Sequence, residues 1–171
     1  MDRKELASAI ARVSRLEGQF LLRSGAQSTT YFDKYRFESD PTLLREITAH
    51  LAPLLPPGLD ALAGLELGGV PLATALSIYT GIPALFVRKR AKDYGTCQLA
   101  EGGTVAGRRL VIIEDVVTSG GQVAESTHEL RALGAHVADA LCVIDRRAGG
   151  PEALSAIGVQ LQCLFTGSEL G

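Results

Sequence analysis

Two spacings of apolar residues alternate along the chain. After Asp2, a residue suited to cap a helix, Leu6, Ala9, Ile10 and Val13 fall on one helical stripe, which Gly18 is expected to end. Helical spacing returns after Asp40-Pro41 with Leu43, Leu44, Ile47 and Leu51, and stops at the breakers Pro53 and Pro56-Pro57. Between these two helices, "FLLRSGAQSTTYFD" holds two short apolar or aromatic segments, which predicts a hairpin or folded hood within residues 1–40. Beyond the prolines the pattern changes to short runs that are apolar almost throughout: "LDALAGL", "IPALFVR", "RRLVIIED", "HVADALCVID" and "VQLQCLF". Helices are predicted at residues 70–79, 121–133 and 151–157. Strands without polar alternation need cover on both faces, so the pattern predicts an α/β fold: a parallel sheet flanked by helices, with a small N-terminal hood.

The chain has 171 residues, which suits a single domain over 1–171. Residues 53–58 read as a loop within it, and 89–107 form a polar loop long enough to be mobile or functional. Hydrophobic residues make up 46% and charged residues 21%, as in a soluble globular protein, and a formal charge of −2 gives no overall field toward nucleic acid or anionic lipid. Cys97, Cys142 and Cys163 form no CxxC pair and read as reduced thiols. No apolar stretch at the N-terminus is long enough for a signal peptide or span, so a cytoplasmic protein is expected. His50, His128 and His136 lie far in sequence from the motifs below and read as structural.

The densest chemistry sits in "IIEDVVTSGGQ", where Glu114 and Asp115 close a strand directly ahead of Thr118, Ser119, Gly120, Gly121 and Gln122. Ligands of open parallel sheets bind beyond the carboxyl ends of the strands. The small residues let several N–H groups point inward, and the following helix adds the positive end of its dipole, which together make a phosphate cradle. Two carboxylates beside such a cradle must face another part of the ligand, and a sugar phosphate offers both hydroxyls and phosphate. The alternative is an ordinary capped strand-to-helix turn. "VRKRAKDYGT" places Arg88, Lys89, Arg90 and Lys92 at the start of the long loop, either as a solvated basic face or as a cover for a multiply charged anion. Gly68-Gly69 in "GLELGGVPLA" is either a tight turn or a second anion-binding loop.

Taken together, these segments resemble the orotate phosphoribosyltransferases over nearly the whole chain. "LVIIEDVVTSGG" is similar to the 5-phosphoribosyl 1-diphosphate (PRPP) signature of type I phosphoribosyltransferases. "RKRAKDYGT", "FLLRSGAQSTTYFD" and "VIDRRAGG" are similar to the basic loop, hood motif and Asp-Arg strand end of the orotate enzymes. The resemblance implies the type I phosphoribosyltransferase fold, PRPP and orotate as substrates, and Mg²⁺ as cofactor with no protein residue assigned as its ligand. It implies that Glu114 and Asp115 hold the ribose hydroxyls, that Val116, Val117, Thr118, Ser119, Gly120, Gly121 and Gln122 complete the PRPP seat, and that Leu67 and Gly68 lie in the diphosphate loop. Thr118, Arg146, Arg23, Tyr31 and Phe32 would contact orotate, with Asp33 also lining the hood. Arg23, Lys92 and Asp115 would be the catalytic residues. Arg88, just before the 89–107 loop, and Lys89, Lys92 and Tyr94 within it would also bind PRPP, and this loop would reach into the partner's site of a homodimer. The chain departs from frequent family residues at three positions: Tyr94 replaces His, Arg90 replaces Glu and Gly68 replaces Lys. A tyrosine with a pKa near about 10 is a hydrogen-bond donor at neutral pH rather than a proton shuttle.

Overall fold

A computed structural model of the chain describes residues 1–21, 25–91 and 98–170. Asp2 starts the first helix, α1 (Arg3–Ser14), through a reciprocal cap: its carboxylate accepts the Glu5 N–H at 2.8 Å, and the Glu5 carboxylate accepts the Asp2 N–H at 2.8 Å. The stripe of Leu6, Ala9 and Ile10 is buried as the spacing requires. The end differs from expectation. Arg15 is already extended, and β1 (Arg15–Leu21) pairs antiparallel with β2 (Gln27–Phe32). Pairing with β2 satisfies the backbone of this segment and overrides the helical spacing that Leu16 would have continued. Gly18 lies instead where the register slips between Glu17 and Phe20.

The hairpin returns to the core through α2 (Tyr35–Ser39), a turn of helix absent from the sequence expectation because only five residues carry it. Its Phe37 is fully buried and anchors the hood. Asp40 then starts α3 (Pro41–Leu51), its Oδ1 accepting the N–H groups of Thr42 and Leu43 at 2.9 and 3.1 Å, with Pro41 in the first turn where no donor is missed.

The remaining chain alternates as predicted: β3 (Ala61–Leu65), α4 (Gly69–Thr80), β4 (Ala84–Val87), β5 (Ala100–Glu101), β6 (Arg109–Val117), α5 (Gly121–Ala132), β7 (His136–Asp145), α6 (Gly150–Ser155) and β8 (Gln160–Thr166). Strand order is β5-β4-β3-β6-β7-β8. The five longer strands are mutually parallel, whereas β5 runs antiparallel along β4, pairing Phe86 with Glu101 and Val87 with Ala100. The expected parallel sheet thus has one antiparallel edge, formed inside the 89–107 segment, which blocks the open side of β4. Helices α1, α3 and α4 cover one face, through residues such as Leu6, Ile47 and Leu72, and α5 and α6 cover the other through Val123, Leu130 and Leu154. No described helix is long and apolar enough to cross a membrane.

The connections from β3 to β4 and from β6 to β7 run in opposite directions along the sheet, so a crevice opens between the ends of β3 and β6. Glu114 and Asp115 fall at that crevice. Because Phe37 ties the hood above it to the core, Phe37→Ala is expected to destabilise the protein by about 3–5 kcal/mol in urea unfolding, the range for deleting a buried aromatic ring.

Candidate active site

Four chain segments meet at the crevice. The first is the end of β6. Asp115 is 0% exposed and Glu114 is 8% exposed. The Glu114 carboxylate accepts the Asp115 N–H at 3.0 Å, and Asp115 Oδ1 accepts the Val116 N–H at 2.5 Å. The second segment is the turn after β3. Gly68 is buried against Asp115 so closely that a Cβ there would collide with the carboxylate, and a Cβ on Gly69 would collide with the Ile113 carbonyl. Leu67 is exposed beside them. Lys89 N–H donates to Glu66 Oε1 at 2.7 Å, which ties the end of β4 to the same turn, while Arg88 Nε pairs with Glu101 at 3.3 Å.

The third segment is the turn from Val117 into α5. Gly120 adopts φ 78° and stands at the N-cap with no side chain bonded to the helix start, so the first-turn N–H groups are open to an anion. Thr118, Ser119 and Gly121 are exposed, and Gln122 is half-buried with Nε2 3.4 Å from Ser126 Oγ. The end of β7 lies alongside: Arg146 N–H donates to the Val117 carbonyl at 2.9 Å, and a Cβ on Gly150 would come within 2.7 Å of the Thr118 carbonyl. Gly150 therefore lets the two turns pack together.

The fourth segment is the hood. Tyr31 is exposed, and its ring centroid lies 5.5 Å from that of Phe20. The Arg146 guanidinium sits 5.6 Å from the Phe32 ring centroid, so a hood aromatic and the cation beyond β7 form one surface. Asp33 Oδ1 accepts the Tyr35 N–H at 3.1 Å. Arg23, Lys92 and Tyr94 lie outside the described residues.

Two side chains that sequence reasoning passed over complete the acidic cluster. Lys34 Nζ pairs with Asp115 Oδ2 at 2.7 Å, and Glu38, 6% exposed, faces the same carboxylate. In sequence they sit in "DKYRFESD", which reads as a charged connector. Their separation of four residues, which brings side chains to one helical face, is the one signal available.

The charges of this cluster are linked. Burial, reinforced by Asp115, pushes Glu38 up to about 9, and burial with the Asp115 charge raises Glu114 to about 8. Burial also works against ionised Asp115, but hydrogen bonds from Glu114, Lys34 and Glu38 outweigh it and hold its pKa below the usual value. Burial likewise opposes the Lys34 ammonium, and the Asp115 bond and charge reverse that effect, raising the lysine. Magnitudes agree with this division. Holding a proton on a glutamate at pH 7 costs about 3.5 kcal/mol, whereas two carboxylates about 4 Å apart repel by about 4 kcal/mol at an effective dielectric of 20, before desolvation is added. These directions favour Asp115 as the ionised acid paired with Lys34 and bias Glu38 and Glu114 toward their neutral forms.

A central parallel sheet with an acidic strand end, an uncapped helix start and a hood over the crevice defines a phosphoribosyltransferase. The sequence pattern of the phosphoribosyl transferase domain matches residues 44–159. Within that class, the chain belongs to the orotate phosphoribosyltransferase family. It is 55% identical over 165 residues to an orotate phosphoribosyltransferase of a Nocardioides species, covering 96% of this chain and 92% of that protein. It also superposes on crystal structures of Mycobacterium tuberculosis H37Rv orotate phosphoribosyltransferase. One gives a TM-score of 0.90 at 32% identity, covering 100% of this chain and 99% of the other. Another, in complex with 5-phospho-α-D-ribosyl 1-diphosphate, gives 0.85 at 30% identity with the same coverage.

Two outcomes follow from this geometry. Gly68→Ala is expected to displace the Asp115 carboxylate and lower kcat/KM for PRPP by about 100-fold, as misplacement of a ligand-holding group does. In steady-state kinetics the KM for PRPP should carry much of that loss. The pH dependence of stability should also change on replacing Glu38. Its pKa rises from 4.5 unfolded to about 9 folded, so between those values the unfolded chain binds fewer protons and stability falls as pH rises. Thermal melts of Glu38→Gln, taken without ligand from pH 5 to 9, should show a shallower fall than those of the parent.

Proposed function

We propose that this enzyme transfers the 5-phosphoribosyl group from PRPP to orotate, giving orotidine 5′-phosphate and diphosphate for pyrimidine synthesis. The observation that carries the site assignment is the meeting, at one sheet edge, of the acid pair, the uncapped start of α5 and Arg146 stacked on Phe32. The reading treats residues 1–171 as one domain, with 1–40 containing the hood and 89–107 the catalytic loop.

In this reading the exposed Thr118, Ser119 and Gly121, with Gly120 and Gln122, seat the 5′-phosphate through backbone and hydroxyl donors, preceded by Val116 and Val117. Glu114 and Asp115 accept hydrogen bonds from the ribose hydroxyls. Leu67 and Gly68 offer backbone to the diphosphate, and Arg88 and Lys89 bring positive charge from the end of β4. Orotate enters between the hood and the β7 end, against Tyr31 and Phe32, where the planar Arg146 fork matches a carboxylate or carbonyl edge and Thr118 adds a donor. The base nitrogen attacks the anomeric carbon as the bond to diphosphate breaks. Positive charge develops on the sugar ring and negative charge on the departing oxygens. The chain contributes by positioning and by fixed charges, the family resemblance assigning Arg23 to the reaction and Lys92 and Tyr94 to PRPP, and no covalent intermediate is required.

In this reading Mg²⁺ arrives with the substrate, and no protein residue is assigned as its ligand. Among the described residues no group of three or more His, Cys, Asp or Glu side chains is arranged to hold a metal, and Asp115 is already paired with Lys34. Bound together with the substrate, Mg²⁺ would supply positive charge that stabilises the leaving group.

The enzyme is read as a cytoplasmic homodimer in which the 89–107 loop serves the neighbouring site. Helix α4 supports the dimer: its sequence GVPLATALSIYT is apolar around most of its circumference, and Ile78 and Tyr79 are 83% and 59% exposed on the single chain.

The direct test follows PRPP-dependent diphosphate release with orotate, uracil, hypoxanthine and xanthine. Turnover with orotate alone is expected, and its absence overturns the base assignment. Mixing Lys92→Ala with Asp115→Asn chains tests the shared site. Each variant alone should be nearly inactive, whereas verified heterodimers should recover part of the activity through one intact site; no recovery overturns the loop exchange.

A further inference from the structure

The cluster around Asp115 contains a member that the reaction derived above does not use. Glu38 is 6% exposed on α2, and among the described residues neither of its carboxyl oxygens meets an N–H or hydroxyl donor. After burial, the group that acts on it most strongly is the Asp115 carboxyl. Two carboxyl groups can bond to each other only while one keeps its proton, and because Lys34 Nζ stands 2.7 Å from Asp115 Oδ2, the anion falls to Asp115 and the proton to Glu38. Lys34 reaches the same carboxylate at 2.7 Å from four residues earlier. One short stretch below the hood therefore brings a cation and an acid to a single carboxylate, while Gly68 leaves room for it on another side.

We propose that Glu38 is a positioning residue for the ribose seat: it donates a hydrogen bond to Asp115 and, together with Lys34, fixes the orientation from which Asp115 accepts the ribose hydroxyls of PRPP. The proposal rests on the assignment of Asp115 to the ribose. An apolar side chain in the same slot would remove a donor from a carboxylate that is 0% exposed, and a permanently ionised one would repel it. A protonated acid meets both requirements, and so does a primary amide. Because Lys34 and Glu38 both come from the segment that follows β2, the ribose seat is set by how the hood docks as well as by the end of β6.

The test compares Glu38→Gln with Glu38→Leu in the full-length protein, with Glu38→Met in place of Leu if the Leu variant does not fold. PRPP binding is measured by calorimetry, and the KM values for PRPP and orotate are measured separately. The amide should keep PRPP affinity within about twofold of the parent, whereas the apolar variant should lose about tenfold or more, in line with a lost hydrogen bond to a charged group. The KM for PRPP should rise with that loss while the KM for orotate changes little. A folded apolar variant with parental PRPP affinity overturns the proposal, as does an amide variant weakened as much as the apolar one. A purely structural role would lower the melting temperature without separating the two KM values, and that result also overturns it. A parent protein that binds PRPP but does not turn over orotate would refute the base assignment alone, and the calorimetric comparison would still decide the role of Glu38.

Discussion

The arrangement depends on keeping one carboxylate ionised out of contact with water. Asp115 is 0% exposed near the end of a strand whose run from Leu110 to Ile113 is wholly apolar, a position where an unpaired charge would be costly. Lys34 supplies the opposing charge, the Val116 N–H supplies a donor, and burial pushes the neighbouring acids toward their protonated forms. Breaking such a buried pair on one side leaves the other charge stranded, so the hood segment and the sheet edge are held to one relative position.

This charge pattern also resolves the conflict of placing two acids next to an anion cradle. Lys34 and Asp115 cancel, and Glu114 and Glu38 are biased toward their neutral forms, so the cluster directs little net negative field toward the start of α5. The exposed Thr118, Ser119 and Gly121 and the Arg146 guanidinium then set the local potential. The chain as a whole is slightly acidic, so attraction of a polyanion depends on this local distribution.

Much of the fold was legible in the sequence because its strands are apolar on both faces and its helices carry clear breakers. The turn at Gly120 and the acids ahead of it were legible for a related reason, since each requires a residue type that few other contexts demand. The first helix was extended too far because Leu16 continues its spacing, and only the partner strand, distant in sequence, reveals the hairpin. The strand Ala100–Glu101 was hidden because a two-residue pairing leaves no periodicity. Lys34 and Glu38 escaped for a different reason. A charged residue reads as solvated until the fold shows what lies opposite it, and here that partner is 77 residues beyond Glu38 in the chain, at Asp115.

The glycines around β3 have a consequence for how the enzyme can vary. Gly64 lies against the Gly69 carbonyl, with its Cβ position 2.6 Å away, Gly69 against the Ile113 carbonyl, and Gly68 against Asp115. Helix α4 is thereby seated flush on two strands with no side chain as a spacer. A change in thickness at any of these contacts would move the backbone of the Leu67–Gly68 turn and the Asp115 carboxylate as one body. With the turn and the carboxylate serving diphosphate and ribose as proposed, affinity for the two ends of the phosphoribosyl donor is mechanically coupled, and variation that tunes one end without the other must come from the hood, the long loop or the start of α5.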